Sequence, residues 1–102
     1  MAAWYEAQGY EVVARNWRSR QGEIDLIARR SGVLVICEVK TRTSRAFGEP
    51  FEAVTRTKQL RLRRLAAEYL RQRSGSPGRP AEVRFDVASV SGGKIDVIEG
   101  AF

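Results

Sequence analysis

The sequence predicts an α/β protein: a mixed β-sheet flanked by helices, with elements in the order α-β-β-β-α-β-β. Three observations predict it. Two runs rich in β-branched residues, EIDLIA and VLVICEVK, stand in tandem at residues 23–28 and 33–40. A helical stripe follows, with Leu62, Leu65, Ala66, Tyr69 and Leu70 spaced i, i+3, i+4, i+7 and i+8. After a Gly/Pro/Ser-rich break, Val83, Phe85 and Val87 alternate with Arg84, Asp86 and Ala88. The 102 residues allow one compact domain, and 43% hydrophobic content is that of a folded chain.

The elements follow in order. Residues 2–8 read as the end of a short helix, with Gly9 as its stop and a start lying before Met1. Residues 10–15 have strand character, and residues 16–22 form a polar, basic connection. The runs at 23–28 and 33–40 are strands joined through Arg29-Arg30-Ser31-Gly32, and residues 41–50 form a loop. The main helix starts between Pro50 and Thr57 and ends near Arg73. Its stripe faces a core, while Lys58, Arg61, Arg64 and Arg71 give it a basic back. Residues 74–80 are a turn-rich loop, and Ser91-Gly92-Gly93 turns the next strand into an edge hairpin with residues 94–98.

Composition removes several functions. With no histidine, neither Ser-His-Asp nor Cys-His catalysis nor a Cys/His zinc site can be built within one chain. The single cysteine, Cys37, lies in an apolar run and reads as a buried small hydrophobe. No apolar stretch approaches the roughly 20 residues of a membrane span. The first residues lack the basic start and apolar core of a signal peptide, so a cytoplasmic protein without membrane contact is expected. Residues 41–80 hold ten of the 18 basic residues against three acids. Such a segment suits a polyanion, although a solvated arginine-rich surface would look the same.

One constellation carries chemistry. Strand residues two apart share a face, so Glu23 pairs with Asp25 and Glu38 with Lys40. A loop of even length keeps Asp25 and Glu38 on the same side. The two-residue loop Ser31-Gly32 sets them opposite, and a four-residue loop sets them diagonal. Charges beside Ile27, Leu34 and Ile36 are costly unless paired, solvated or bound to a cation. They make either a structural ion pair with Lys40 or a carboxylate pair holding Mg²⁺ or Mn²⁺ beside a lysine. Only three of the 18 basic residues are lysines (Lys40, Lys58 and Lys94), which points to specific roles at Lys40 and Lys58. Trp17 and Phe47, both in expected loops, are the aromatics best placed to stack on bases.

GEIDLI at residues 22–27 followed by EVKTR at 38–42 resembles the signature of the YraN-like family of predicted endonucleases. That family is similar to archaeal Holliday-junction resolvases of the PD-(D/E)xK nuclease superfamily. The likeness extends through Gly9-Tyr10, ARNWR at 14–18, Phe47-Gly48, Val54, Lys58, AEYL at 67–70 and RFDV at 84–87. It implies a restriction-endonuclease-like sheet and a metal-dependent DNA endonuclease, with a homodimer as one possible assembly. By position it implies Asp25 and Glu38 as metal-binding acids, the Val39 carbonyl as a further ligand, Glu23 as a candidate ligand, and Lys40 as the catalytic lysine. Two carboxylates favour a charged Lys40 that orients water. Arg18, Arg42, Lys58, Arg61 and Arg64 form the expected nucleic-acid-binding set. Glu6 lies too near Gly9 to match the glutamate that resolvases carry on a longer first helix, which implies a weak or inactive nuclease. The competing functions are a non-catalytic nucleic-acid-binding protein on the same scaffold and a protein-interaction module acting through the basic helix.

Overall fold

A computed structural model describes residues 1–42, 54–73 and 79–102. Five strands form one sheet in the order β1-β2-β3-β4-β5: β1 (Glu11–Ser19), β2 (Gly22–Arg30), β3 (Val33–Arg42), β4 (Glu82–Ser91) and β5 (Lys94–Ile98). Two helices complete it, α1 (Ala2–Ala7) and α2 (Arg56–Gln72). The predicted class and element order match this arrangement. Tandem strands pair antiparallel, whereas β3 and β4 pair parallel from Val33↔Glu82 to Arg42↔Ser91, with α2 between them in the chain. The expected loop at 41–50, including Phe47, and the loop at 74–80 fall largely outside the described residues.

Alternation along the central strands builds a core on each face of the sheet. Ile27, Leu34, Ile36 and Phe85 pack against Leu62, Leu65, Ala66 and Tyr69 of α2. Leu26, Ala28, Val35, Cys37 and Ala88 pack on the other face with Tyr5 of α1 and Tyr10. Both faces of β4 are thus covered, and Asp86 is 1% exposed. Asp86 accepts from the Tyr5 hydroxyl at 2.7 Å, from Arg84 through two nitrogens at 2.9 Å each, and from the Gly100 N–H at 3.0 Å. These hydrogen bonds offset the cost of burying the carboxylate.

The sequence reading differs from the structure at one element. Residues 16–19 continue β1 and are not a connection; only Arg20 and Gln21 lie between β1 and β2. Asn16 is polar, carries φ of 50°, and stands between the pairs Arg15↔Leu26 and Trp17↔Ile24. With charged Arg15 and Arg18 around it, residues 15–18 lack the apolar run by which a strand is read, and the bulge at Val13, between Val12↔Ala28 and Ala14↔Ile27, shifts the alternation along β1. Trp17 packs edge-on against Tyr69, with centroids 5.6 Å apart, instead of standing free in a loop.

Candidate functional site

The β2–β3 turn is the two-residue version, Ser31-Gly32, closed by the pair Arg30↔Val33. Both turn residues have positive φ, 49° and 80°, as a type I′ hairpin turn requires. The antiparallel register then runs to Leu26↔Cys37 and stops. Continued by one residue it sets Asp25 opposite Glu38. Beyond this point β2 stays with β1 through Ser19↔Gly22, while β3 stays with β4. The sheet therefore parts between β2 and β3 where the two carboxylates stand.

Asp25 is held across that parting. Its Oδ2 accepts the Val39 N–H at 2.8 Å. The N–H and C=O of one strand residue emerge on the same side. The Val39 carbonyl accordingly faces the gap rather than β4. Glu38 is 5% exposed, and its Oε2 contacts the ammonium groups of Lys40, at 3.7 Å, and of Lys58. Lys58 arrives from the first turn of α2, where its N–H donates to the Thr55 hydroxyl at 3.1 Å as the helix cap. Lys58 therefore points into the site and is not part of the basic back.

Within the site, Asp25, Lys40 and Lys58 titrate away from their ordinary values. Burial drives the Asp25 carboxyl up; the Val39 N–H opposes this, and the Glu38 carboxylate adds to it. Burial pushes Lys40 down, helped by neighbouring Lys58 and opposed by Glu38. Glu38 therefore does not hold the Lys40 proton as tightly as two adjacent carboxylates suggested from sequence. Lys58 also loses hydration to burial, but its contact with Glu38 prevails and carries it up.

The remaining predicted residues are distributed unevenly. Glu23 lines the same cleft, a space of about 240 Å³ bounded also by Gly22, Asp25, Glu38, Lys58 and Arg61. Its carboxylate, however, pairs with Arg18. Among the described residues no three Asp, Glu or Cys side chains cluster as a metal-holding group. Oxygen donors at the gap come from Asp25, Glu38 and the Val39 carbonyl, a set that suits hard cations such as Mg²⁺ or Mn²⁺. Arg61 is exposed and crosses Gly22, where a Cβ would stand 3.3 Å from the Arg61 Cδ, so the glycine gives the arginine its path to the cleft. Arg64 is exposed on α2. Arg42 ends β3, and its side chain lies outside the described residues.

Residues 1–90 match the family described as "Uncharacterised protein family UPF0102". The chain belongs to this family. A UPF0102 protein of Beutenbergia cavernae is 56% identical over 87 residues, covering 85% of this chain and 71% of that protein. One of Symbiobacterium thermophilum is 55% identical over 92 residues, covering 90% of this chain and 75% of that protein. A third, of Acidothermus cellulolyticus, is 44% identical and covers 92% of this chain and 80% of its own. The UPF0102 match runs through every residue of the cleft. No helix among the described residues is long and apolar enough to cross a membrane.

Proposed function

We propose that this chain is a divalent-metal-dependent endonuclease of the PD-(D/E)xK type, resembling Holliday-junction resolvases and hydrolysing phosphodiester bonds of DNA. The observation that carries the reading is the meeting of Asp25, Glu38, Lys40 and Lys58 at the parting of β2 and β3. Two carboxylates of like charge, one driven toward its protonated form, make an arrangement that a divalent cation stabilises. The donor set thus fits Mg²⁺ or Mn²⁺, held by Asp25, Glu38 and the Val39 carbonyl, with Glu23 lining the same cleft. Such a cation would supply an acidified water and draw charge from the phosphate.

The chain's own groups have separate tasks. The Val39 N–H fixes Asp25 from the backbone, so its position does not depend on a mobile side chain. Lys40 orients the attacking water and, with its proton held less tightly, faces the developing charge. Lys58 neutralises Glu38, and with a cation bound there it would be free to contact the phosphate. Arg61, Arg64, Arg18 and Arg42 provide sequence-independent backbone contacts.

One observation favours a second reading, a non-catalytic nucleic-acid-binding protein. Among the described residues only two acids converge, and Lys58 already satisfies the more buried one. Cleavage of branched and linear DNA with Mg²⁺ or Mn²⁺ separates the two. Turnover lost in Glu38→Gln and Lys40→Ala supports the nuclease. Salt-sensitive binding without turnover, weakened by Arg61→Ala with Arg64→Ala, supports the second reading.

A further inference from the structure

A cavity larger than the cleft at the carboxylate pair lies elsewhere. It opens at the other end of β2, beside the Ser31-Gly32 turn, and has a volume of about 440 Å³. That falls in the lower part of the roughly 300–1,000 Å³ typical of small-molecule sites. Five strand residues separate Asp25 from Arg30, or about 17 Å at about 3.3 Å per residue. The two spaces are therefore distinct.

Its floor is apolar, formed by Leu34 of β3 with Tyr69 and Leu70 of α2. Four arginines are among its lining residues: Arg29 and Arg30 at the end of β2, Arg73 at the end of α2, and Arg79 before β4. Glu11 is the acid of the lining, and it pairs with Arg29 at 2.9 Å. With the Arg30 guanidinium turned to Tyr10 and Gln8, three arginines against one glutamate leave a formal excess of two positive charges. Arg30 is steadied without being neutralised: its guanidinium lies 4.5 Å from the Tyr10 ring centre and donates to the Gln8 carbonyl. Arg73 stands 5.6 Å over Tyr69. The carbonyl end of a helix disfavours an anion, but the Arg73 N–H already engages the carbonyls of Tyr69 and Leu70 at 3.2 and 3.3 Å.

We propose that this cavity is a second ligand site that takes a nucleoside monophosphate, with the base on the apolar floor and the phosphate on the arginine rim. A bare anion would gain nothing from the floor, and an apolar ligand would gain nothing from the guanidinium groups. Guanidinium forks match phosphate oxygens bidentately, and the volume admits one nucleotide rather than several. The site does not depend on the nuclease reading. A free nucleotide and the terminal nucleotide of a strand share the required chemistry.

Calorimetric titration of the full chain with adenosine monophosphate, adenosine, inorganic phosphate and hexaglutamate tests this. Adenosine monophosphate should bind at least tenfold more tightly than any of the other three. The double variant Arg73→Gln/Arg79→Gln should lose at least tenfold of that affinity while still unfolding in one cooperative transition, since both residues are exposed. Glu38→Gln should bind it as the native chain does. A 5′-phosphorylated single strand that displaces the nucleotide identifies a strand end as the source, and failure to displace identifies the free nucleotide. The proposal is overturned by unchanged affinity in the double variant, by parity with phosphate or adenosine, by tighter hexaglutamate binding, or by loss of binding in Glu38→Gln.

Discussion

Replacing Lys58 by Met removes one of two cations that hold Glu38 and keeps the length of the side chain. Breaking a fully buried ion pair costs about 3–5 kcal/mol, because the surviving charge is stranded. Exposed pairs are worth about 0.2–1 kcal/mol. This pair lies between those limits: the Glu38 side chain is 6% exposed and that of Lys58 32%. Lys40 remains 3.7 Å away and screens part of the loss. The expected cost is therefore about 2 kcal/mol, which lowers the melting temperature by roughly 8–16 °C at about 4–8 °C per kcal/mol. Urea denaturation of Lys58→Met, Glu38→Gln and the double variant closes a thermodynamic cycle, with an expected coupling of about 2 kcal/mol. Mn²⁺ should then raise the melting temperature of Lys58→Met more than that of the native chain, because Glu38 no longer needs to be freed from the lysine. A coupling under about 0.5 kcal/mol would refute the claim that Lys58 neutralises Glu38.

Three further outcomes are expected. Asp25→Asn keeps an oxygen for the Val39 N–H and removes a carboxylate whose pKa is raised above 3.8 in the fold. The native carboxyl's stabilising contribution is complete below 3.8 and fades as pH rises through the folded value. The variant should thus gain melting temperature near neutrality but not below that window, and a gain independent of pH would contradict the assigned cause. Tyr5→Phe deletes the hydroxyl that Asp86 accepts at 2.7 Å and should cost about 1.5–3 kcal/mol, read as a lower urea midpoint at unchanged slope. The Cys37 thiol, pushed up to about 12 by burial, should resist iodoacetamide in the native chain and react at the unfolding rate. Stoichiometric labelling within minutes would show that the core opens.

The central hairpin was legible because its logic is local. Period two and a two-residue turn suffice to bring Asp25 and Glu38 together, and both can be read from twenty consecutive residues. The α2 stripe was legible for the same reason: Leu62, Leu65, Ala66 and Tyr69 are all buried as the spacing requires. Residues 16–19 were misread because the bulge at Val13 shifts the alternation along β1 and Asn16, polar and at φ of 50°, reads as the start of a turn. Lysine usage singled out Lys58, but its inward direction, away from the basic back, depends on where the Thr55 cap begins the first turn. Asp86 sat in an alternating strand pattern that suggests an outward face. Its covering by Tyr5, 81 residues away, follows from packing of distant elements and leaves no trace near either residue.

That last pairing bears on how the chain is made. A six-residue helix has too few hydrogen bonds to persist by itself in water. Tyr5 finds the partner for its hydroxyl only on β4, and β4 docks beside β3 only after the whole of α2 has been synthesised. During vectorial synthesis the first strands can form their hairpins as they emerge, while the Tyr5 hydroxyl waits for β4. Tyr5 can meanwhile rest on Leu26, Val35 and Cys37, the apolar face that β2 and β3 present before β4 arrives. The bond between Tyr5 and Asp86 then ties a helix that precedes the sheet in sequence to a strand that joins it late.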